Sequence, residues 1–193
     1  MRNPQRPALA RLMIVGLASL SLLGGQASAR TTVSTQSFDA SNGQVWIYFN
    51  LTSRSQVTPA TPETSGEWDL AFQRHRIKSN GGDSGKGGVS VTWLDAQDFD
   101  ALKTAPSPSK STYVIDSHAP TGNTIGDRHL AFLGNDGWYT YSDTHKLGAK
   151  NRVYVVKTTG GKYVKLQMLG YYDAAGTSGN PRFKYAEIDP PAN

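Results

Sequence analysis

The chain has 193 residues, with 20 Lys and Arg against 15 Asp and Glu, and it has no cysteine. Without thiols it has no disulfides, thiolate metal sites or cysteine nucleophile, and no lipid anchor of the kind carried on a cysteine just after a leader. The net charge of +5 looks basic, but the basic residues are scattered rather than blocked and leave no electrostatic footprint for nucleic acid.

Arg2, Arg6 and Arg11 form a basic n-region, Leu12 to Leu23 is mostly apolar, and Ala27-Ser28-Ala29 supplies a small-x-small cleavage site. The apolar run is shorter than the ~20 residues of a membrane span. Residues 1–29 therefore read as a cleaved signal peptide and 30–193 as one exported domain, periplasmic or secreted. The remaining 164 residues carry 17 basic against 15 acidic side chains, a net of about +2. That length is enough to bury a core.

Short β-branched and aromatic runs separated by Gly, Ser, Thr, Asn and Pro predict an all-β fold. We expect a single domain of mostly antiparallel strands and hairpins with at most one short helix. Gln44 to Leu51 reads as a first strand, with Val45, Ile47, Phe49 and Leu51 on one face and Trp46 and Tyr48 on the other. Ser53 to Gly66 reads as a loop. Glu67 to Lys78 reads as a second strand, with Trp68, Leu70 and Phe72 on the apolar face, Arg74 and Arg76 continuing it, and His75 as an edge or surface residue.

Asn80 to Gly88 is glycine-rich, but it lacks the spacing of a nucleotide P-loop: Asn80 stands where the first Gly is needed and Gly87 where Ser or Thr should follow Lys86. It reads as a loop leading into a strand at Val89 to Leu94. Ala96, Phe99 and Leu102 give Asp95 to Lys103 a helical spacing of one or two turns. Tyr113 to Ile115 is a short strand, and Ser117 to Asp136 is irregular. Trp138 to Tyr141 is a strand and Ser142 to Lys150 a turn. Arg152 to Thr158 and Lys162 to Leu169 form a hairpin through Gly160-Gly161, and Phe183, Tyr185 and Ile188 mark a last strand.

No catalytic motif is present. Ser84 has Gly82 two residues before it but Lys86 two after, so it is no nucleophile elbow, and there is no His-Glu-x-x-His. The borderline ligands are His75, His118, His129, His145 and Met168. Met168 alternates with Leu166 and reads as core. His118, His129 and His145 lie in polar, turn-rich segments from which a neutral imidazole can reach a metal.

Trp68-Asp69-Leu70-Ala71-Phe72-Gln73-Arg74, followed by Ile77-Lys78-Ser79-Asn80-Gly81-Gly82 and Ser84-Gly85-Lys86-Gly87-Gly88, resembles the Trp-Asp and Asn-Gly-Gly signature of the HmuY family. The second half is similar too: Gly137-Trp138, the pair Tyr139 and Tyr141 before Ser142, Lys146-Leu147, Asn151 to Val156, Gly161-Lys162, Lys165-Leu166-Gln167 and Tyr171-Tyr172. The resemblance runs from about Trp46 to Tyr185.

The resemblance implies an exported all-β protein that binds haem and hands it to an outer-membrane haem receptor of the TonB-dependent kind, a carrier rather than an enzyme. In the family's histidine-type members one axial ligand directly follows the serine after the aromatic pair, the place of Asp143 here. His145, two residues on, is the implied counterpart. A continuing strand would keep it on the same face, about 7 Å along; a turn beginning at Ser142 would absorb the shift in a loop. The other ligand would come from the irregular segment before Trp138, as His129 or alternatively His118. Trp138, Tyr139 and Tyr141 would wall the haem, with Arg128, Lys146 or Lys150 near its propionates. The displaced ligand position also allows a second reading, an envelope binding module of the same fold that does not ligate haem and contacts another ligand or protein.

Overall fold

A strand buried on one face needs a second apolar layer, and this chain meets that need with two stacked antiparallel sheets. The computed structural model describes residues 32–117, 130–132 and 137–192. Among these residues the strands are β1 (Ser34–Ser37), β2 (Ile47–Asn50), β3 (Ser55–Val57), β4 (Leu70–Gln73), β5 (Arg76–Ser79), β6 (Ser90–Asp95), β7 (Tyr139–Tyr141), β8 (Leu147–Ala149), β9 (Arg152–Lys157), β10 (Tyr163–Tyr172) and β11 (Ser178–Ile188). One sheet has the order β1-β11-β10-β9-β6 and the other β3-β2-β4-β5, while β7 and β8 form a separate hairpin. Every strand ladder is antiparallel. The all-β expectation holds.

The inner faces meet in an aromatic core. Phe49 and Phe72 from one sheet pack against Phe183 from the other, and Phe72 and Phe183 stack at 5.2 Å between centroids and 9° between planes. Burying each ring is worth about 1.5–3 kcal/mol. Asp69, fully buried, also ties the layers: its carboxylate accepts from Leu51 N at 2.8 Å and from Thr159 N and Oγ1 at 2.8 and 2.9 Å. The outer face of the larger sheet is covered as well. Val153 and Val155 alternate with the core-facing Tyr154 and Val156 and are met by Phe99, Leu102 and Ala105.

That covering segment replaces the helical turn expected over Asp95 to Lys103. Among the described residues there is no helix, and none long and apolar enough to cross a membrane. Ala96 takes φ 53, outside the helical region. Asp98 Oδ1 accepts the Asp100 N–H at 2.8 Å, a local turn that competes with a helix. The Phe99 and Leu102 carbonyls accept from Lys165 Nζ at 2.6 and 2.8 Å. The periodic apolar residues are real contacts, made by a turn-rich strap.

Two other differences matter for the site. The strand expected over Glu67 to Lys78 is two strands, β4 and β5, joined by the two-residue turn Arg74-His75, with Phe72 paired to Ile77. The turn expected over Ser142 to Lys150 contains β8, paired to β7 in the register Tyr139 to Ala149 and Tyr141 to Leu147. The glycine-rich loop is structural: Asn80 Nδ2 donates to Ser65 O and Trp68 O, each at 2.8 Å, and a Cβ at Gly85 or Gly87 would run into that amide.

Candidate functional site

Among the described residues, three hairpin turns share one backbone solution. In Thr158 to Lys162 the first N–H donates to the last carbonyl at 2.8 Å, and the fourth residue, Gly161 (φ 77), donates back to the first carbonyl at 2.9 Å. Asp173 to Thr177 repeats this with Gly176 at φ 84. Ser142 to Lys146, between β7 and β8, repeats it at 2.9 Å for both bonds, but its fourth residue is His145 at φ 58. This position demands the left-handed conformation, which glycine meets without steric cost. Histidine tolerates it better than most residues, at about 1 kcal/mol.

The tight turn answers the question of strand or loop raised by the two-residue displacement. Pairing ends at Tyr141, and the turn sends His145 back toward it. The His145 ring lies 5.8 Å from the Tyr141 ring, and Tyr141 Oη is hydrogen-bonded to His145 Nδ1 at 3.2 Å. Tyr141 is 62% exposed, the most exposed large apolar side chain among the described residues.

A second turn faces the same space. Arg74, at φ 51, and His75 join β4 to β5. The His75 carbonyl accepts from Trp138 Nε1 at 2.9 Å, and its ring meets Tyr139 edge-on at 5.7 Å and 86°. Arg74 Nη1 donates to Ser41 O at 3.2 Å. Behind both turns, bulges in β10 around Gly170 offset Tyr171 and Tyr172 from regular pairing. Tyr172 Oη accepts the Leu147 N–H at 3.0 Å and so fastens β8 to the larger sheet. Burial raises the Tyr171 phenol above its ordinary value, against the pull of the Arg74 guanidinium beside it.

Together these elements enclose an open cleft of about 390 Å³ lined by Arg74, His75, Tyr139, Tyr141, His145, Leu147, Tyr171, Tyr172 and Ser178. That volume falls in the range of small-molecule and cofactor sites, roughly 300–1,000 Å³. It brings together three of the site residues expected from sequence, Tyr139, Tyr141 and His145, with the borderline ligand His75. Trp138 does not line it: at 1% exposure its ring is in the core, supporting Tyr139 at 5.2 Å and the His75 carbonyl. His118, Arg128 and His129 lie outside the described residues. Lys146 is exposed at the turn, and the cation lining the cleft is Arg74.

Arg74 was not placed in the site from sequence, and His75, named among the borderline ligands, was read as an edge or surface residue. One signal was available. Phe72 and Ile77 are five apart, so a continuous strand puts them on opposite faces, whereas a two-residue turn puts both in the core.

The donor set suits a macrocyclic metal cofactor. Haem brings four nitrogens of its own and needs from a protein only axial donors such as imidazole or phenolate. A bare zinc ion needs three or four protein ligands, and no group of three His, Cys, Asp or Glu able to hold a metal occurs among the described residues. Aromatic walls, two imidazoles and one guanidinium fit a flat apolar disc with acidic substituents.

The same architecture is found in solved structures. The apo HmuY analogue of Tannerella forsythia superposes with a TM-score of 0.61 at 14% identity, covering 83% of this chain and 97% of that one. Apo PinO from Porphyromonas gingivitis gives 0.57 at 15% identity, covering 82% and 98%. A proposed HmuY-like haem-binding protein of Bacteroides vulgatus gives 0.54 at 19% identity, covering 79% and 90%. No curated protein matches the sequence. The sequence profile of the HmuY protein family matches residues 42–185, which includes strands of both sheets and the residues lining the cleft. By that match over most of its length, the chain belongs to the HmuY family.

Proposed function

We propose that the protein is an exported haem carrier that captures haem in the cleft between the β4–β5 and β7–β8 turns and passes it to an outer-membrane, TonB-dependent receptor. The observation that carries this reading is His145: it stands where the chain's two matching turns have glycine, and it faces an aromatic cleft. Backbone strain of this kind concentrates at ligand sites, where the surrounding structure holds it in place. Family membership supports the same ligand class.

Haem would supply an iron with axial positions open to protein donors. His145 presents Nε2 as its ligating atom, because Tyr141 Oη occupies Nδ1. A hydrogen bond to the second ring nitrogen fixes the orientation of a ligating imidazole and tunes its basicity. Tyr139 and Tyr141 offer aromatic walls, and Arg74 offers a cation to the propionates. The ligating turn is exposed at the rim, which suits a carrier that must release its cargo. Besides His145, the side chains that could hold the iron are His129 and His118, named by the sequence, and His75, brought to the cleft by the fold.

Titration of the purified chain with ferric and ferrous haem tests this. A shifted Soret band with saturable one-to-one binding is expected. If neither oxidation state shifts the band, haem carriage fails and the non-haem binding module takes its place. Amino-terminal sequencing of exported protein is expected to begin at Arg30; an intact leader would remove the export step.

A further inference from the structure

We infer that His75 is the iron ligand opposite His145, and that Arg74 beside it binds a carboxylate of the same macrocycle. This inference rests on the haem reading and deepens it by assigning the second axial position to the β4–β5 turn instead of the 117–136 segment.

The first support is convergence. His75 and His145 lie 70 residues apart in sequence and line one cleft. The second is strain. Four non-glycine residues take positive φ among the described residues, and two of them, Arg74 at 51° and His145 at 58°, are in the two turns that line this cleft. Neither turn uses the glycine its backbone favours, so each places a functional side chain at a conformational cost.

The third support is positioning. The His75 carbonyl is held by Trp138 Nε1 at 2.9 Å, and Trp138 is in the core. The buried indole that precedes β7 therefore also holds the β4–β5 turn. The His75 ring packs edge-on against Tyr139, and the His145 ring lies against Tyr141. Tyr139 and Tyr141 are alternate residues of β7 on one face, about 7 Å apart in an extended strand. The two imidazoles are thus set along one row of aromatic side chains.

The fourth support is the count of donors. Two imidazoles suffice for an iron that brings its own four equatorial nitrogens. Arg74 uses part of its guanidinium on Ser41 O and Tyr171. Its fork has five N–H donors, more than those partners use, and a carboxylate is its natural further acceptor.

Absorption and electron paramagnetic resonance spectra of the ferric haem complex test the assignment in His75→Ala, His75→Gln, His118→Ala and His129→Ala. The unsubstituted chain is expected to give a six-coordinate low-spin spectrum. Both His75 variants should become high-spin with affinity lowered at least ~10-fold, more than or equal to an outer-shell change. Free imidazole should restore the low-spin form in His75→Ala, which shows that the site still folds. The His118 and His129 variants should keep the original spectrum. A low-spin spectrum with undiminished affinity in both His75 variants overturns the assignment, as does loss of low-spin character in His129→Ala or His118→Ala alone. No haem binding by the unsubstituted chain overturns the carrier reading and the assignment together. For the carboxylate contact, Arg74→Gln should weaken haem several-fold while leaving the binding of haem dimethyl ester unchanged; equal weakening of both would remove Arg74 from that role.

Discussion

The β9–β10 turn, Thr158 to Lys162, and the β7–β8 turn, Ser142 to Lys146, are nearly the same object. Each closes with the same two backbone bonds, and each has a hydroxyl, Thr158 Oγ1 or Ser142 Oγ, accepting the last N–H at 3.1 or 3.2 Å. The fourth residue is glycine in one and histidine in the other. At Gly161 a Cβ would meet nothing within 4 Å, so glycine is there for its backbone alone. The β7–β8 turn accepts the steric cost that the β9–β10 turn avoids. Where two turns have the same geometry and only one lines the aromatic cleft, a strained side chain in that one is evidence of use.

The comparison can be broken most sharply at His145. His145→Gly gives the β7–β8 turn the residue its backbone favours. Thermal and urea unfolding should change by less than about 1 kcal/mol, because relief of strain is offset by glycine's added chain entropy. Haem affinity should fall beyond the ~10–100-fold typical of outer-shell changes. A large loss of stability in this variant would mean that the histidine is structural and the comparison fails.

Tyr141→Phe comes next. It removes the hydroxyl on His145 Nδ1 and keeps the ring. Haem affinity should drop about 10-fold, or about 1.4 kcal/mol, with a shifted iron reduction potential. Unchanged affinity and potential would reduce Tyr141 to a wall. The converse experiment is Gly161→His. It should cost about 1 kcal/mol of stability by urea denaturation and create no haem site, since that turn does not line the cleft. A neutral outcome would show that this backbone accepts histidine freely, and His145 would lose its significance.

The smallest effect belongs to one of the shared hydroxyls. Ser142 is exposed, and Ser142→Ala should cost about 0.5–1 kcal/mol. Thr158 is buried, so Thr158→Ala also removes its packing and should cost more. Chemical denaturation checks the order; a larger loss at Ser142 would show that the exposed hydroxyl holds its turn more firmly than the buried one.

The longer strands were legible because their signal is local. The alternation in Arg152 to Leu169 and the Gly160-Gly161 turn specify a hairpin within about twenty residues. The short strands β1, β3 and β8 were not legible: three or four residues carry too little period to separate from loop, and their partners in the ladders decide them. Half of the candidate site was legible in the same sense. Tyr139, Tyr141 and His145 share one hairpin, so a reading of that stretch finds all three. His75 was named as a borderline ligand but its place in the site was not legible, because the turn that delivers it contains no Gly, Asn or Pro to announce it. Arg74 and His75 look like strand until Phe72 and Ile77 are both required to face the core.

By itself the amino-acid sequence determined the all-β class, the family framework and the strand and turn that carry Tyr139, Tyr141 and His145, since periodicity and turn chemistry act over a few residues. Only the tertiary structure decided what that turn faces. Trp138 reaches 63 residues back along the chain to the His75 carbonyl, and bulged β10 brings Tyr171 and Tyr172 behind both turns. A cleft exists where segments distant in sequence converge, and their convergence is set by the packing of the two sheets. No local pattern encodes that distance.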